Sequence, residues 1–386
     1  MLTAVEDRPH FDYSAAMRVV VTGQVGLDKA AFLDRVADIL RLHGQDVALC
    51  HVGRMMYAEA PDVAPGRILD LPLGRLNSLR RSVFKDILRA CDKHQHVIVN
   101  THATFRWRHG LFHAFDYDQM KSLNADLYAT LVDNIDRVHY RLTRDGHTDH
   151  SLKDLMVWRE EEMLATELMS QIVRGHGCFY IMGSNEDENT SQAMANLICR
   201  PALKKCYLSY PMSHVNGDKT GHVLGEIEGF RREMKRFFTC FDPGDVEEKY
   251  LCKLALSAAQ EGHRLVEVGP PGQKAVMETA ELLAIMADID GQIYARDFKL
   301  IDQADMIVSL VPQLPGGMPA LSSGVERELQ HAHEATREVF VIWQPKVDPS
   351  PFVTETATRV FRSVGEAVTY FLANNYVPKP KGGLFA

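Results

Sequence analysis

Short β-branched runs, each followed by a stretch of helical spacing, recur along the whole chain. Met17-Arg-Val-Val-Val-Thr-Gly23 is the first. Such a run has no polar face, so both of its faces must be covered. A parallel strand inside a sheet flanked by helices meets that condition. After it, Phe32, Leu33, Val36, Ile39 and Leu40 fall on one helical face over 29–42. The sequence predicts strands over 46–50 and 96–100, with a helix over 81–91 between them. It further predicts a helix over 126–135, a strand over 138–142, a long helix over 152–173 and a strand over 178–182.

A second series opens with the strand Lys205-Cys-Tyr-Leu-Ser209. Helices are expected over 225–238, 247–260 and 274–287, with another from about 292 to 301. A strand over 305–310, a helix over 322–336, a strand over 338–343 and a closing helix over 364–374 complete it. The alternation predicts an α/β fold of two doubly wound parallel-sheet domains, one P-loop-kinase-like and one flavodoxin- or Rossmann-like. The expected parts are a polar arm over 1–16, a domain over 17–200, a domain over 201–376 and a tail over 377–386. Cys199-Arg-Pro201 marks the division, because proline ends a helix. A length of 386 residues suits two domains.

Charge and composition narrow the partners. There are 43 Lys and Arg against 51 Asp and Glu, a net charge of −8. That balance argues against a general nucleic-acid binder, which needs a basic surface, but leaves room for a small anionic ligand in one pocket. No apolar stretch approaches the ~20 residues that cross a bilayer. Glu6, Asp7 and Arg8 stand where a signal peptide would be apolar. Seven cysteines without a CxxC pair suit reduced thiols. The expected location is the cytoplasm, without a membrane or nucleic-acid partner. The histidine pairs His109/His113 and His147/His150 have no thiol or carboxylate cluster beside them, so no metal centre is expected.

Two segments carry chemistry. In the first, Gly23-Gln-Val-Gly26-Leu-Asp28-Lys29-Ala30 joins a strand to a helix. Glycines there let backbone amides curl around phosphate, and a helix N-terminus adds positive potential. Residues 17–182 resemble the adenylate-kinase-like branch of P-loop nucleotide kinases, whose loop reads GxPGxGKG/T. Gly23, Gly26 and Lys29 match, and Asn100-Thr101-His102 resembles the strand-end D-T-H of archaeal-type adenylate kinases. The resemblance implies nucleotide binding by Gly23, Gly26 and Lys29, with Arg141 and Arg144 as lid arginines. Three residues oppose phosphoryl transfer. Asp28 sets a carboxylate beside a triphosphate, which costs about 1 kcal/mol at 4 Å in water and several times that at lower dielectric. Ala30 offers magnesium no hydroxyl, and Asn100 stands at the Asp position. The expectation is a degenerate loop, with no required cofactor and nucleotide as its candidate ligand.

The second segment comprises Tyr207-Leu-Ser-Tyr-Pro-Met212, the stretch from Tyr294 to Val308, and the stretch from Leu321 to Ala332. Residues 204–372 resemble the nucleoside 2-deoxyribosyltransferase superfamily. Its motifs read YLAGP, then D-x-x-x-(I/L)-x-x-(A/S)-D-x-(V/I)-V, then (D/P)-S-x-G-x-x-x-E-(L/I)-G-x-A. The resemblance implies Glu328 as nucleophile and Asp297 as a second acid, a pairing suited to an oxocarbenium-like sugar. It implies substrate contacts from Tyr207, Ser209, Tyr210, Ser213, Ser322, Ser323 and Gly324. Tyr210 stands where the family has glycine, and its ring is expected to narrow the pocket or stack on a base. Ser322, Gly324, Val325, Glu328 and Leu329 match the branch that hydrolyses nucleoside 5′-monophosphates, whose segment reads PSLGVGYELG, and Arg296-Asp297 matches its R-D-L. The function implied is N-glycosidic cleavage of a nucleoside or its 5′-monophosphate, with water or a second base as acceptor. A non-catalytic nucleotide sensor or scaffold and an active nucleotide kinase remain as alternatives. Family members complete the sugar pocket with a neighbour's residues, so a homo-oligomer is expected, with Phe371, Tyr376 and Phe385 as apolar surface for it.

Overall fold

In a computed structural model the described residues are 16–377, apart from 65, 108–109, 148, 185–187, 213–220 and 271. Ser213, His109, Phe385, the N-terminal arm and the tail from 378 lie outside them.

The first series runs β1 (Met17–Thr22), α1 (Lys29–Leu42), β2 (Val47–His51), α2 (Val52–Glu59), α3 (Leu73–Cys91) and β3 (His96–Asn100). An antiparallel hairpin, β4 (Thr104–Trp107) and β5 (Gly110–His113), precedes α4 (Tyr117–Leu123). Then come β6 (Leu127–Val132), α5 (Ile135–Arg144), α6 (Leu152–Val173), β7 (Phe179–Gly183) and α7 (Glu188–Cys199). The sheet order is β2-β3-β1-β6-β7, parallel throughout. Val19, Val20 and Val21 at its centre are fully buried. Helix α6 starts sharply because Ser151 and Asp154 cap one another's backbone amides.

Two expectations exchange places here. The segment expected to be helical over 126–135 holds strand β6, and the expected strand over 138–142 lies in helix α5. All six residues of β6 are buried between β1 and β7, so the run has no periodicity, and an apolar run alone does not separate helix from strand. In α5 the buried Ile135, Val138 and Leu142 keep spacings of three and four. Its β-branched and aromatic residues disguise that pattern.

The second series begins with β8 (Lys205–Ser209), α8 (Gly221–Phe237) and β9 (Thr239–Phe241). It continues with α9 (Lys249–Gln260), the antiparallel hairpin β10 (Leu265–Val268) and β11 (Ala275–Glu278), α10 (Thr279–Ala284) and α11 (Met286–Asp302). It closes with β12 (Met306–Val311), α12 (Ser323–Glu334), β13 (Glu338–Trp343), α13 (Pro351–Thr354), β14 (Arg359–Phe361) and α14 (Val364–Ala373). The order is β14-β13-β12-β8-β9, again all parallel. The helix expected over 274–287 starts with a strand: Ala275 and Met277 are buried while Val276 and Glu278 are exposed, a period of two. Phe371 is not partner surface. It lies in the core under this sheet, edge-on to Phe340 with ring centres 5.0 Å apart, and Tyr376 packs on the same cluster.

Among the described residues the chain groups into two compact units and changes unit three times. Ala15–Ile198 and Gly244–Arg296 form one; Cys199–Pro243 and the chain from Asp297 onward form the other. The sequence signals the change near residue 200 but not those after Pro243 and Arg296. Buried charge explains why Gly244–Arg296 belongs with the first sheet. Glu248 is fully buried and accepts hydrogen bonds from the Ile135 amide at 2.7 Å and from Arg159 at 2.8 and 3.1 Å. Arg296 lies 3.7 Å from the same carboxylate. Asn134 Nδ2 also donates to the Glu247 carbonyl at 2.8 Å, and Gln292 Nε2 to that of Met156 at 3.1 Å.

Removing one partner of a buried ion pair typically costs about 3–5 kcal/mol, because the other charge is stranded. We expect Glu248→Gln to lower the thermal transition by several degrees, whereas Glu261→Gln, exposed at the end of α9, leaves it within a degree. A melting point for Glu248→Gln equal to that of the parent protein would remove Glu248 as the anchor of this segment.

Candidate active site

In the second sheet β8 leads outward to β9 on one side, and β12 leads to β13 on the other. The strand order therefore reverses between β8 and β12, and open parallel sheets bind ligands at the carboxyl ends of such strands. Tyr207 and Ser209 are two apart on β8 and face the same way. The Tyr207 hydroxyl donates to Glu328 Oε1 at 2.9 Å, and the Ser209 hydroxyl donates to Glu328 Oε2 at 2.6 Å. Each oxygen of one carboxylate is thus held by a hydroxyl of the same strand. Helix α12 brings Glu328 there. Ser322 caps that helix, its hydroxyl accepting from the Val325 amide at 3.2 Å, and Glu328 follows in the second turn.

Burial pushes the Glu328 carboxyl up to about 8. The negative charge of Asp297 pushes the same way, while the bonds from Ser209 and Tyr207 act against both. Burial also raises the Tyr207 phenol well above its ordinary value, and the charges of Glu328 and Asp297 add to that. A carboxyl this far from its ordinary value, in a sheet crevice beside a second acid, is the usual signature of a working group.

The structure thus brings together four of the expected residues: Glu328, Asp297, Tyr207 and Ser209. Ser323 and Gly324 lie exposed in the first turn of α12. A Cβ at Gly324 would meet only Ser322 Oγ, at 3.6 Å, so space does not demand glycine there. Tyr210 is buried in the core cluster. Its hydroxyl donates to Asp242 at 2.6 Å, and the Arg231 guanidinium lies 5.6 Å from its ring centre. Asp242 also accepts from Arg231 and lies 2.7 Å from Lys235. Sequence reading missed this cluster, and it missed Ser309. The signal for Ser309 is a single hydroxyl inside the apolar run Met306-Ile-Val-Ser-Leu-Val311.

The first sheet has its own reversal at β1, flanked by β3 and β6. Gly23 and Gly26 take φ of +142° and +88° in the loop that follows. A Cβ on Gly23 would come within 2.6 Å of Leu27 and 2.8 Å of the Leu131 carbonyl. The Gly23 amide donates to Glu162 at 3.1 Å. Lys29 donates to the Gly23 carbonyl and lies 3.2 Å from His102 Nδ1. Burial lowers Lys29 to about 8, against the opposing charge of Glu162. Glu162 also accepts from the Ala103 and Thr104 amides at 2.8 Å and the Thr104 hydroxyl at 2.6 Å. Burial would raise that carboxyl, but His102, Lys29 and Thr104 outweigh it and hold it at about 2. Arg141 donates to Asp133 at 2.7 Å and to the Gly26 carbonyl at 3.3 Å. Arg144 meets Asp28 at 3.4 Å and Asp145 at 2.8 Å. Both expected lid arginines therefore face protein carboxylates. Asn100 Nδ2 lies 2.9 Å from His51 Nδ1. Among the described residues no cluster of three or more metal-ligating side chains occurs, and no helix is long and apolar enough to cross a membrane.

No protein-family model matches the chain. Over 185 residues, 47% of this chain, it is 23% identical to an adenylate kinase of Pyrococcus furiosus, covering 92% of that protein. The adenylate kinase of Pyrococcus abyssi shows the same identity and coverage. Among solved structures the chain is similar to a 2-deoxyribosyltransferase of Bacillus psychrosaccharolyticus, at 16% identity over 46% of this chain and 99% of that one, with a TM-score of 0.28. It is also similar to a shikimate kinase of Bacteroides thetaiotaomicron, at 14% identity over 48% of this chain and 97% of that one, with a TM-score of 0.33. These similar proteins are enzymes, a transferase and kinases, and each matches about half of the chain.

Glu328 keeps its proton to about pH 8 in the folded protein, while the unfolded chain releases it near 4.5. Its contribution to stability is therefore fully present below 4.5 and lost as pH rises through 8. Glutamine cannot ionise, so Glu328→Gln should melt higher than the parent at pH 9, by the equivalent of about 1–3 kcal/mol, and show no gain at pH 4. Thermal melts of both proteins across that range test this. A constant difference would mean that Glu328 ionises normally.

Proposed function

We propose that the protein cleaves the N-glycosidic bond of a nucleoside 5′-monophosphate or nucleoside, with Glu328 as nucleophile. The observation that carries this reading is the half-buried Glu328 carboxyl, held through both oxygens at the sheet's reversal beside Asp297. In its ionised form Glu328 attacks the anomeric carbon. The carbon–nitrogen bond breaks, its electrons pass to the base, the base takes a proton from solvent, and the Asp297 carboxylate accepts a hydrogen bond from a sugar hydroxyl. The resulting sugar ester on Glu328 is then opened by water, which gives up a proton, or by a second base. Ser322 and the amides of the first turn of α12 would receive a 5′-phosphate, because a helix N-terminus favours an anion. The buried, hydrogen-bonded place of Tyr210 suits shaping of the pocket wall better than an open stacking platform.

For the first unit, the 23% identity to adenylate kinases supports a fold kept from nucleotide kinases. The engagement of Lys29, Arg141 and Arg144 by the protein's own groups favours nucleotide binding or a structural part over phosphoryl transfer. We place the protein in the cytoplasm as a homo-oligomer with a small-molecule nucleotide or nucleoside substrate.

Free-base release from a panel of nucleotides and nucleosides is the direct test. Glu328→Ala should reduce it by at least a thousandfold, since loss of the nucleophile removes several kcal/mol of transition-state stabilisation. Retention of more than a tenth of turnover would sink Glu328 as nucleophile. Monophosphates should exceed nucleosides at least tenfold in kcat/KM, the scale of one charge-assisted hydrogen bond. Ser322→Ala should narrow that preference and leave nucleosides nearly unaffected. Equal efficiencies in the parent protein would exclude a phosphate site. No magnesium-dependent phosphate transfer from ATP is expected, and robust transfer would restore the kinase reading.

A further inference from the structure

Resting on Glu328 as the reactive carboxylate, we propose that Ser309 is a positioning residue. It fixes the Ser209 hydroxyl as a donor to Glu328 and thereby holds the carboxylate in its attacking form.

Ser309 is fully buried in the middle of β12, where every other residue is apolar. A hydroxyl at such a place needs a partner. In the parallel pairing of β12 with β8, Ser309 stands directly beside Ser209. Ser309 Oγ donates to Ser209 Oγ at 3.2 Å, and Ser209 Oγ donates to Glu328 Oε2 at 2.6 Å. A serine hydroxyl has one proton and two lone pairs. With Ser309 donating into a lone pair of Ser209, the single Ser209 proton is left for Glu328, and the chain has one direction. Successive hydrogen bonds also polarise one another, by ~10–30% per bond. The family motif YLAGP has alanine at the position of Ser209, so this route is a property of this chain.

Among the described residues, the titratable groups facing Glu328 are Tyr207 from β8 and Asp297 from α11. Asp297 favours the protonated carboxyl, and Tyr207 and Ser209 favour the carboxylate. On its own helix Glu326 and Arg327 are exposed, and His331 turns to Asp302 at 2.8 Å. Strand β12 reaches this balance through Ser309, which acts on Ser209 of β8. Loss of Ser309 therefore lets the proton stay on Glu328 to higher pH.

The test compares the full-length protein with Ser309→Ala and Ser309→Cys. The Glu328 carboxyl is followed by carbon-13 NMR in glutamate-labelled protein, with Glu328→Gln assigning the signal, and base release from nucleoside monophosphates is measured against pH. Alanine should raise the Glu328 midpoint by roughly half a pH unit. That shift should lower kcat/KM about threefold at pH 7 and leave the alkaline plateau and KM unchanged. Cysteine, a weaker donor of similar volume, should fall between, and it serves the comparison if alanine does not fold. An unchanged midpoint, or a loss equal at every pH, would overturn the proposal. A shifted midpoint in a protein that releases no base from any nucleotide would support Ser309 and defeat the glycosidic reading, so the two fail separately.

Discussion

A carboxylate taken out of water keeps its charge only if enough donors replace the water, and both sheets of this protein are organised around that condition. Glu162 is fully buried and Glu328 half-buried, each beside a point where the strand order reverses. Glu162 accepts three backbone amides and a hydroxyl, with Lys29 and His102 beside it, and stays ionised down to about 2. Glu328 has two hydroxyls and an acid for a neighbour, and holds its proton to about 8. The same side chain is a fixed anion in one sheet and a titratable group in the other. The donor set decides which, and it separates a carboxylate that holds a loop together from one available for chemistry.

The contrast accounts for the state of the first loop. The Gly23 amide and the Lys29 ammonium are the groups a phosphate would be expected to meet, and both turn inward, to Glu162, the Gly23 carbonyl and His102. Asp28, in the left-handed region at φ 47°, adds a negative charge that the two nearby arginines answer. Gly23 and Gly26 give the loop its tight turn at positive φ, and its charges are met from within.

Much of this was legible in the sequence, for identifiable reasons. The valine run of β1, the strand β8 with Tyr207 and Ser209, and the Ser322-capped helix that presents Glu328 each carry a local signal that burial does not alter. Other parts were not legible. Strands β9 and β14 have three residues each, too few to show a pattern. Strand β6 and helix α5 were exchanged because the first has no periodicity and the second is rich in residues that favour strands. Ser309 gave only a lone hydroxyl, and its meaning depends on the register that sets it beside Ser209, which is long-range information. The same holds for Glu248, whose partners Arg159 and Ile135 lie 89 and 113 residues away.

The threefold change of unit has a consequence for how the chain matures. Arg159 leaves the ribosome long before Glu248, so residues 16–198 wait without the carboxylate that pairs with Arg159 while residues 199–243 of the other unit emerge. Domains made from one continuous stretch fold in order of synthesis. Here neither unit can finish before the other has begun. Synthesis and assembly are thereby interlocked, and the natural boundary near residue 200 is a poor place to divide the gene.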